Sequence, residues 1–162
     1  MSTRLHHISY VAHDETETDH LGACLAQLLP DGAVIALIGT LGAGKTRLVQ
    51  AVATASGVPS GTVSSPTFVL IHEYEEGDRP IYHFDAYRLE TETEFQNLGP
   101  EEYFEGFGLS FVEWADKIPK VMPQERIEIS IEILDVTQRQ FNIFCHGKSY
   151  NRFFEQISKK LA

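Results

Sequence analysis

The chain has 162 residues, of which 43% are hydrophobic and 22% charged, with a formal net charge of −10 at pH 7. This length predicts one domain spanning residues 1–162, with enough apolar surface to build a full core. The acidic balance argues against a protein that holds nucleic acid tightly by itself, because neutralising phosphates requires clustered lysine and arginine. No apolar run approaches the length of a membrane-spanning helix.

The N-terminal residues and the cysteines predict a cytoplasmic location. Residues 1–7 contain no apolar core of a secretory signal, so we expect no export. Cys24 and Cys145 lie far apart and form no C-x-x-C pair, which favours two buried thiols in a reducing compartment. The histidines near the N-terminus lack the spacing of zinc ligands, so we expect no zinc site.

The first segment predicts a strand followed by an amphipathic helix. Residues 5–12 are typical of a strand, and Asp14 and Glu17 have the spacing of a capping box at a helix start. Apolar side chains then recur on one helical face, at Leu21, Cys24, Leu25, Leu28 and Leu29. A Pro-Asp-Gly turn at residues 30–32 leads into the next strand.

The next segment contains a predicted phosphate-binding loop. Residues 39–46, Gly-Thr-Leu-Gly-Ala-Gly-Lys-Thr, fit G-x-x-x-x-G-K-[ST]. The apolar run 33–38 predicts a buried strand before the loop, and residues 47–53 predict a helix that ends at Gly57. This context favours a P-loop over a glycine-rich turn that only caps a helix.

We predict that this loop binds the phosphates of a nucleotide. Its glycines let backbone N–H groups turn toward a phosphate, and the helix N-terminus adds positive potential. Lys45 is expected to reach the outer phosphates, and the Thr46 hydroxyl to bind Mg²⁺. The predicted nucleotide-binding residues of the loop are Leu41, Gly42, Ala43, Gly44, Lys45 and Thr46.

The rest of the chain predicts a mixed sheet. A polar loop at residues 60–67 precedes a hairpin of two strands, 68–74 and 81–85, joined by a turn at 75–78. Beyond it we predict two short helices at residues 91–98 and 100–105 and a buried strand at 109–113. A half-exposed hairpin of strands 126–134 and 140–145 and a terminal helix at 149–161 follow. The fold class is therefore α/β, a three-layer P-loop NTPase-like fold with a mixed central sheet flanked by helices.

Two carboxylates end predicted strands. A P-loop requires an acid at the end of a neighbouring buried strand, to hold Mg²⁺ directly or through water or to orient the attacking water. Asp85 and Glu113 are both candidates, and the residues alone leave open whether either is instead a helix cap or a surface charge. The segment 64–67 has the position of a switch loop that reads a γ-phosphate, or is a simple connection.

The residues also bear on the type of nucleotide and reaction. No Asn-Lys-x-Asp motif is present, which favours adenine over guanine. A small-molecule kinase is one alternative, but such enzymes usually close an arginine-rich lid, and the middle of the chain carries only Arg79 and Arg88. A non-catalytic nucleotide-binding module is the other alternative.

These motifs, in their order, resemble the TsaE family (older name YjeE), small bacterial ATPases needed to make threonylcarbamoyladenosine in tRNA. The matching segments are the P-loop at 39–46, Ser-Pro-Thr at 65–67, Tyr-His-Phe-Asp-Ala-Tyr-Arg-Leu at 82–89 and Val-Glu-Trp at 112–114. Residues 14–22 are similar to the family's opening, and the resemblance covers roughly residues 5–135.

The resemblance implies Mg²⁺-dependent binding of ATP and ADP, slow intrinsic hydrolysis, and action together with TsaB and TsaD, where TsaD carries out the transfer to tRNA. The roles it implies are catalysis for Lys45, Asp85 and Glu113, Mg²⁺ binding for Thr46 and Glu113, nucleotide contact for Thr18 and Trp114, and switching for Ser65 and Thr67. Without the family, Trp114 would be read as a core residue.

Two features fall outside this assignment. Arg47 stands where the family usually has a second threonine, and it is given no role. The stretch from Glu73 to Asp116 holds thirteen acidic residues and two basic ones. It is either a solvated surface or a docking face for a basic partner, and in both cases we expect no tight direct binding of tRNA.

Overall fold

A mixed sheet of seven strands organises the computed structural model, which describes residues 5–67 and 70–162. The strands are β1 Leu5–Ala12, β2 Val34–Ile38, β3 Ile71–Tyr74, β4 Ile81–Asp85, β5 Leu109–Glu113, β6 Arg126–Ile133 and β7 Arg139–His146. The helices are α1 Glu15–Leu28, α2 Lys45–Ala55, α3 Glu92–Gln96, α4 Pro100–Phe104 and α5 Asn151–Leu161. The predicted order of elements is confirmed.

The sheet has the strand order β1-β7-β6-β2-β5-β4-β3. The four strands β6, β2, β5 and β4 run parallel to one another. On one side β7 pairs antiparallel with both β6 and β1, and on the other side β3 pairs antiparallel with β4. The two predicted hairpins therefore flank a parallel centre, and the α/β class with a mixed sheet is confirmed. The strand before the P-loop, β2, lies in the middle of this parallel part.

Helices cover both faces of the sheet, because the central strands are apolar on both sides. Ile35, Leu37 and Phe111 face one layer, made by α1, α2 and α5. Val34 and Val112 face the other, where residues of α3 and α4 pack against them. A shift of one residue in register would exchange these two faces, so the burial pattern specifies the pairing.

The first two helices begin at different kinds of cap. The Asp14 side chain accepts a hydrogen bond from the Glu17 backbone N–H at 3.0 Å, which confirms the predicted N-cap of α1. The return contact differs from a standard capping box, because the Glu17 carboxylate binds the backbone N–H of His13. Helix α2 follows Gly44 directly and begins at Lys45, two residues earlier than predicted.

Two predicted strands end differently in the structure. Strand β3 begins at Ile71, because Leu70 has a left-handed φ of 74° and its N–H closes a turn onto the Pro66 carbonyl. Phe68 and Val69 lie outside the described residues. In β6 the isoleucines alternate inward as predicted, but Ile133 is 48% exposed, since β2 pairs with β6 only as far as Ser130.

The C-terminal helix is shorter than predicted. A 3₁₀ turn at Lys148–Tyr150 precedes α5, which begins at Asn151. Tyr150 is buried, and its hydroxyl oxygen accepts a hydrogen bond from the backbone N–H of Val34 at 3.2 Å. Within the described part of the chain, no helix is long and apolar enough to cross a membrane.

Helices α1 and α2 approach closely at Gly22. A Cβ atom at this position would lie 2.4 Å from the Ala51 Cβ and 2.8 Å from the Ala51 carbonyl carbon. Real Cβ atoms do not approach backbone this closely, so the helices would have to separate to admit a methyl group. The contact fixes the distance between the helix that contains the predicted Thr18 site and the helix that follows the P-loop.

We therefore expect Gly22→Ala to destabilise the protein. Overpacking costs about 1–3 kcal/mol, and the gain in helix propensity offsets about 1 kcal/mol of it. Urea unfolding followed by circular dichroism measures the net change. The control is Ala23→Gly, at the exposed neighbouring position, which measures the propensity difference alone. If Gly22→Ala instead raised the free energy of unfolding by the full difference that Ala23→Gly measures, the close contact of the two helices would be contradicted.

Candidate functional site

A cleft of about 420 Å³ opens where β2, β4 and β5 end. These strands are parallel, so their carboxyl ends meet at one edge of the sheet, the usual place for a ligand in this fold class. Asp85 stands opposite Glu113 in the register, and Leu37 pairs with Glu113 on the other side. The cleft is lined by Leu41, Gly42, Gly44, Lys45, Thr46, Arg47, Ser65, Thr67, Asp85, Tyr87, Glu113 and Trp114.

The loop after β2 contains two glycines with a left-handed backbone. Gly42 and Gly44 have φ values of 79° and 113°, which L side chains rarely adopt. A Cβ at either glycine would meet no atom within 4 Å, so the backbone there faces open space. Ala43 differs from its neighbours: it is fully buried, its N–H binds the Thr40 carbonyl, and it does not line the cleft.

Lys45 closes the loop on itself. Its Nζ donates hydrogen bonds to the carbonyl oxygens of Gly39 at 2.6 Å and Thr40 at 3.0 Å. The same ammonium lies 3.9 Å from the centroid of the Trp114 ring, a cation–π contact. The side chain is therefore held by the loop and the ring, at the floor of the cleft where the outer phosphates of a nucleotide would lie.

Opposing electrostatic effects act on this lysine. Only 4% of Lys45 is exposed, and burial lowers the pKa of its ammonium. The charges of Glu113, Asp85 and Asp116 act in the opposite direction and raise that pKa. An additional anion in the cleft would add to the second effect, so the charged form of Lys45 would be favoured further by a bound phosphate.

Glu113 lies at the centre of a short hydrogen-bonded chain. One of its oxygens, Oε2, accepts from the Thr46 hydroxyl at 2.7 Å and from His83 Nε2 at 2.5 Å. Glu113 is 3% exposed and His83 is fully buried. The two residues predicted to hold Mg²⁺ are thus in direct contact. His83 was not predicted, although it lies in the Tyr-His-Phe-Asp segment that carries the family resemblance.

The oxygens of this pair fit a divalent cation. Mg²⁺ prefers hard oxygen ligands and commonly takes one or two from the protein, with phosphates and waters completing its octahedron. The Thr46 hydroxyl and the Glu113 carboxylate are such ligands at adjacent positions. No cluster of three or more His, Cys, Asp or Glu side chains suitable for a metal occurs in residues 5–67 and 70–162.

Asp85 binds the predicted switch segment. Its Oδ2 accepts from the hydroxyls of Ser65 at 3.1 Å and Thr67 at 2.9 Å, and its Oδ1 accepts from the Tyr87 backbone N–H at 2.8 Å. Asp85 is 2% exposed, so neither strand-end acid is a surface charge. Both oxygens of Asp85 are engaged, and the Ser65 and Thr67 hydroxyls also contact each other at 2.7 Å.

Trp114 forms one wall of the cleft through an unusual backbone. Its φ of 59° is left-handed, which is uncommon for a residue with a side chain and is often associated with functional sites. The indole centroid lies 5.0 Å from that of the Tyr87 ring and 3.9 Å from the Lys45 Nζ. Trp114 also contacts the apolar cluster below it, so it is both a wall of the cleft and a partner of the core.

A second cavity of about 420 Å³ adjoins the first across the P-loop. Thr18, the residue implied on the base side, lines this cavity and not the phosphate cleft. The two spaces share Gly42, Gly44 and Arg47. The remaining walls are Asp14, Glu15, Val136, Thr137, Arg139 and Phe141.

Arg139 connects the β6–β7 turn to the P-loop, and sequence reasoning did not identify it. Its Nε donates to the Ala43 carbonyl at 3.0 Å, and its Nη1 donates to the carbonyls of Asp135 at 2.9 Å and Gln138 at 3.0 Å. The guanidinium thus holds a turn that lies far along the chain against the buried residue of the loop. No local motif marks such a contact, because it depends on the sheet order.

Arg47, which departs from the family pattern, joins the first two helices. Its Nη2 lies 2.6 Å from Asp19 Oδ1, and its Nε lies 3.8 Å from Glu15 Oε2. Its side chain is 29% exposed and lines both cavities. In this structure the guanidinium therefore pairs with α1.

We expect Asp85→Ala to release the Ser65–Thr67 segment, because the substitution removes the acceptor of both hydroxyls. Hydrogen exchange followed by mass spectrometry should show faster exchange in peptides covering residues 64–67, with the exchange of β5 unchanged. Glu90→Ala, at an exposed acid five residues beyond, is the control. Equal protection of the segment in Asp85→Ala and wild type would show that the hydrogen bonds to Asp85 do not hold it.

Comparisons with known proteins agree with this architecture. Residues 12–141 match the model of the family described as "Threonylcarbamoyl adenosine biosynthesis protein TsaE". The tRNA threonylcarbamoyladenosine biosynthesis protein TsaE of Bacillus subtilis is 39% identical over 143 residues, covering 88% of this chain and 89% of that protein. The protein of the same name from Synechocystis is 45% identical over 115 residues, covering 68% and 72%.

A solved structure extends the similarity to nearly the whole fold. The crystal structure of Bacillus subtilis YdiB superposes with a TM-score of 0.81 and 32% identity, covering 98% of both chains. The family match spans the P-loop, both strand-end acids and the β6–β7 turn. The chain belongs to the TsaE family of threonylcarbamoyl adenosine biosynthesis proteins.

Proposed function

We propose that this protein is a Mg²⁺-dependent ATPase that supports threonylcarbamoyladenosine modification of tRNA and acts with TsaB and TsaD. The observation that carries the ATPase part is the contact of Thr46 with Glu113 beside Lys45, at the mouth of an open glycine loop. This places a hydroxyl, a carboxylate and an ammonium where a P-loop protein needs them. The role in tRNA modification rests on the family.

Thr46 and Glu113 are the residues that would hold Mg²⁺, directly or through water. When bound, the ion would neutralise charge on the outer phosphate oxygens. Lys45 would bind the same phosphates by exchanging the Gly39 and Thr40 carbonyls for phosphate oxygens, a stronger acceptor for an ammonium. The open backbone at Gly42 and Gly44 leaves the N–H groups of the loop room to approach the ligand.

The two adjoining cavities match the two ends of a nucleotide. Each has about 420 Å³, within the usual size range of small-molecule sites. The phosphate cleft contains Lys45 and the two acids, whereas the second cavity contains Thr18, Val136 and Phe141. We assign the phosphates to the first and the adenosine to the second, with the shared loop glycines between them.

The hydrogen bonds of Asp85 offer a physical reason for the slow turnover that we propose for the isolated protein. A carboxylate that orients an attacking water must accept a hydrogen bond from it. Here Ser65, Thr67 and the Tyr87 N–H occupy both oxygens of Asp85. A γ-phosphate or a partner protein that draws the Ser65–Thr67 segment away would free Oδ2 of Asp85 to accept from a water, and this would accelerate hydrolysis.

The kinase alternative is less well supported by the cleft. A kinase closes cationic side chains over the transferred phosphate. Of the described residues that line this cleft, Lys45 and Arg47 are the cationic ones, and Arg47 pairs with Asp19 on α1. A phosphorylated small molecule formed at the rate of ADP release would establish the kinase alternative, and ATP that stays intact with all partners present would establish the non-catalytic one.

The charge of the surface supports action through protein partners. The acidic stretch 73–116 includes the exposed residues Glu101 and Glu102 on α4. Such a surface repels tRNA but attracts a basic protein patch. We therefore assign contact with tRNA to the partners.

The cytoplasm stays the predicted compartment, in keeping with two buried free thiols, Cys24 and Cys145.

We expect Lys45→Ala and Glu113→Ala to separate phosphate binding from Mg²⁺ binding. Loss of the charge-assisted lysine contact, about 1.5–3 kcal/mol, should weaken ADP binding at least about tenfold, with or without Mg²⁺. Glu113→Ala should keep the affinity for ADP in EDTA and lose the gain that Mg²⁺ provides. Titration calorimetry measures both, and emission of the single tryptophan, Trp114, should change as ADP binds wild type.

The control for this pair is Glu128→Ala, at an acid on β6 that does not line the cleft. It should bind ADP as wild type does under both conditions. Equal losses of ADP affinity in EDTA for Lys45→Ala and Glu113→Ala would contradict the division of roles. If ADP saturates the protein without any change in tryptophan emission, Trp114 would be assigned to the core and not to contact with the nucleotide.

A further inference from the structure

His83 is a fully buried polar side chain to which the proposed reaction gives no part. We propose that His83 is a positioning residue: its Nε2–H holds the Glu113 carboxylate against the Thr46 hydroxyl, so that the two oxygens are ready for a divalent cation. This inference rests on the proposed function, because it concerns the same cation site. It adds a residue that acts through Glu113 and does not touch the nucleotide.

The sheet register brings the imidazole to Glu113. His83 on β4 stands opposite Phe111 on β5, and Glu113 lies two residues further along the same face of β5. The ring thus reaches from β4 toward the carboxyl end of its neighbour β5, and its Nε2 lies 2.5 Å from Glu113 Oε2. That oxygen also accepts from the Thr46 hydroxyl, so two donors hold the same carboxylate oxygen.

The hydrogen-bonding partners define the state of the ring. The Glu113 carboxylate accepts, so Nε2 must carry the hydrogen in this contact. The other nitrogen, Nδ1, is buried and has no hydrogen-bond partner among the described residues. A hydrogen on Nδ1 would be a buried donor without an acceptor, whereas a bare nitrogen leaves only an unused lone pair. The geometry therefore assigns the hydrogen of this contact to Nε2.

A space-filling role does not account for this arrangement. A histidine that only fills the core could be replaced by an apolar side chain of similar size. The short contact to a buried carboxylate gives His83 a second effect, because it restrains the rotation of the Glu113 side chain. Groups that orient metal ligands in this way typically change metal affinity by about 10–100-fold when removed.

The test compares two substitutions of similar size in the full-length protein. His83→Gln keeps an N–H donor close to the position of Nε2, and His83→Leu removes it. The measured quantity is the ratio of the Kd for ADP in EDTA to the Kd for ADP with Mg²⁺, by titration calorimetry. We expect His83→Leu to reduce this ratio by about 10–100-fold. If the wild-type ratio is itself smaller than this factor, His83→Leu should lower it to one. His83→Gln should restore most of it, and the Kd in EDTA should be unchanged in both.

Ser110→Ala is the matched control. Ser110 is fully buried on β5, and its hydroxyl has no hydrogen-bond partner within the described part of the chain. Its substitution disturbs a buried polar group of the same strand as Glu113 but does not remove a contact to Glu113. The Mg²⁺-dependent ratio should equal that of wild type.

The outcomes separate this inference from the proposed function. A wild-type ratio of one would contradict Mg²⁺-dependent nucleotide binding itself, and the role of His83 would fall with it. A wild-type ratio above one that His83→Leu retains would overturn the role of His83 alone. Should His83→Leu fail to fold, long-range ¹H–¹⁵N spectra of the wild-type histidines decide: hydrogen on Nε2 of His83 supports the inference, and hydrogen on Nδ1 overturns it.

Discussion

The parallel pairing of β2, β5 and β4 is the constraint on which the rest of the site depends. It places the end of each strand beside the next, so that the P-loop, Glu113 and Asp85 meet at one edge of the sheet. The same register places His83 two residues before Asp85 on β4, on the sheet face covered by α2. The register that pairs these strands therefore also determines the distances between the polar groups.

This edge carries more negative charge than the protein itself neutralises. Asp85 and Glu113 are buried almost completely, and Lys45 is the buried ammonium beside them. Burying charges is costly unless each is paired and hydrogen-bonded. Hydroxyl, imidazole and backbone donors satisfy both carboxylates here. A divalent cation would more than offset this charge, and its own binding of phosphate would then link metal and nucleotide affinity.

Sequence alone was sufficient for the strand–loop–helix unit and for both strand-end acids. These features are local: a glycine pattern between an apolar run and a helix, and acids that end apolar strands. The segment 64–67 was predicted as a switch loop or a simple connection, but its contact with Asp85 was not predicted. The turn at Leu70 was missed because a left-handed leucine has no local signature, and the predicted strand was too long.

The missed residues are those that the topology brings in from a distance. Arg139 reaches the P-loop because β7 lies two strands from β2, an order that periodicity does not encode. The wall of the second cavity formed by Val136 and Phe141 has the same origin. His83 was visible within the segment of family resemblance, but its role depends on the direction of a side chain in a folded sheet.

The central claim is that this edge of the sheet hydrolyses ATP in the service of a tRNA-modifying assembly. Its most direct test is ATP turnover by the purified protein with Mg²⁺, measured alone and with TsaB and TsaD together. The account predicts slow release of phosphate from the protein alone and faster release with the partners, abolished by Asp85→Asn in this chain. Turnover that is absent in both conditions, or that Asp85→Asn leaves intact, would contradict it.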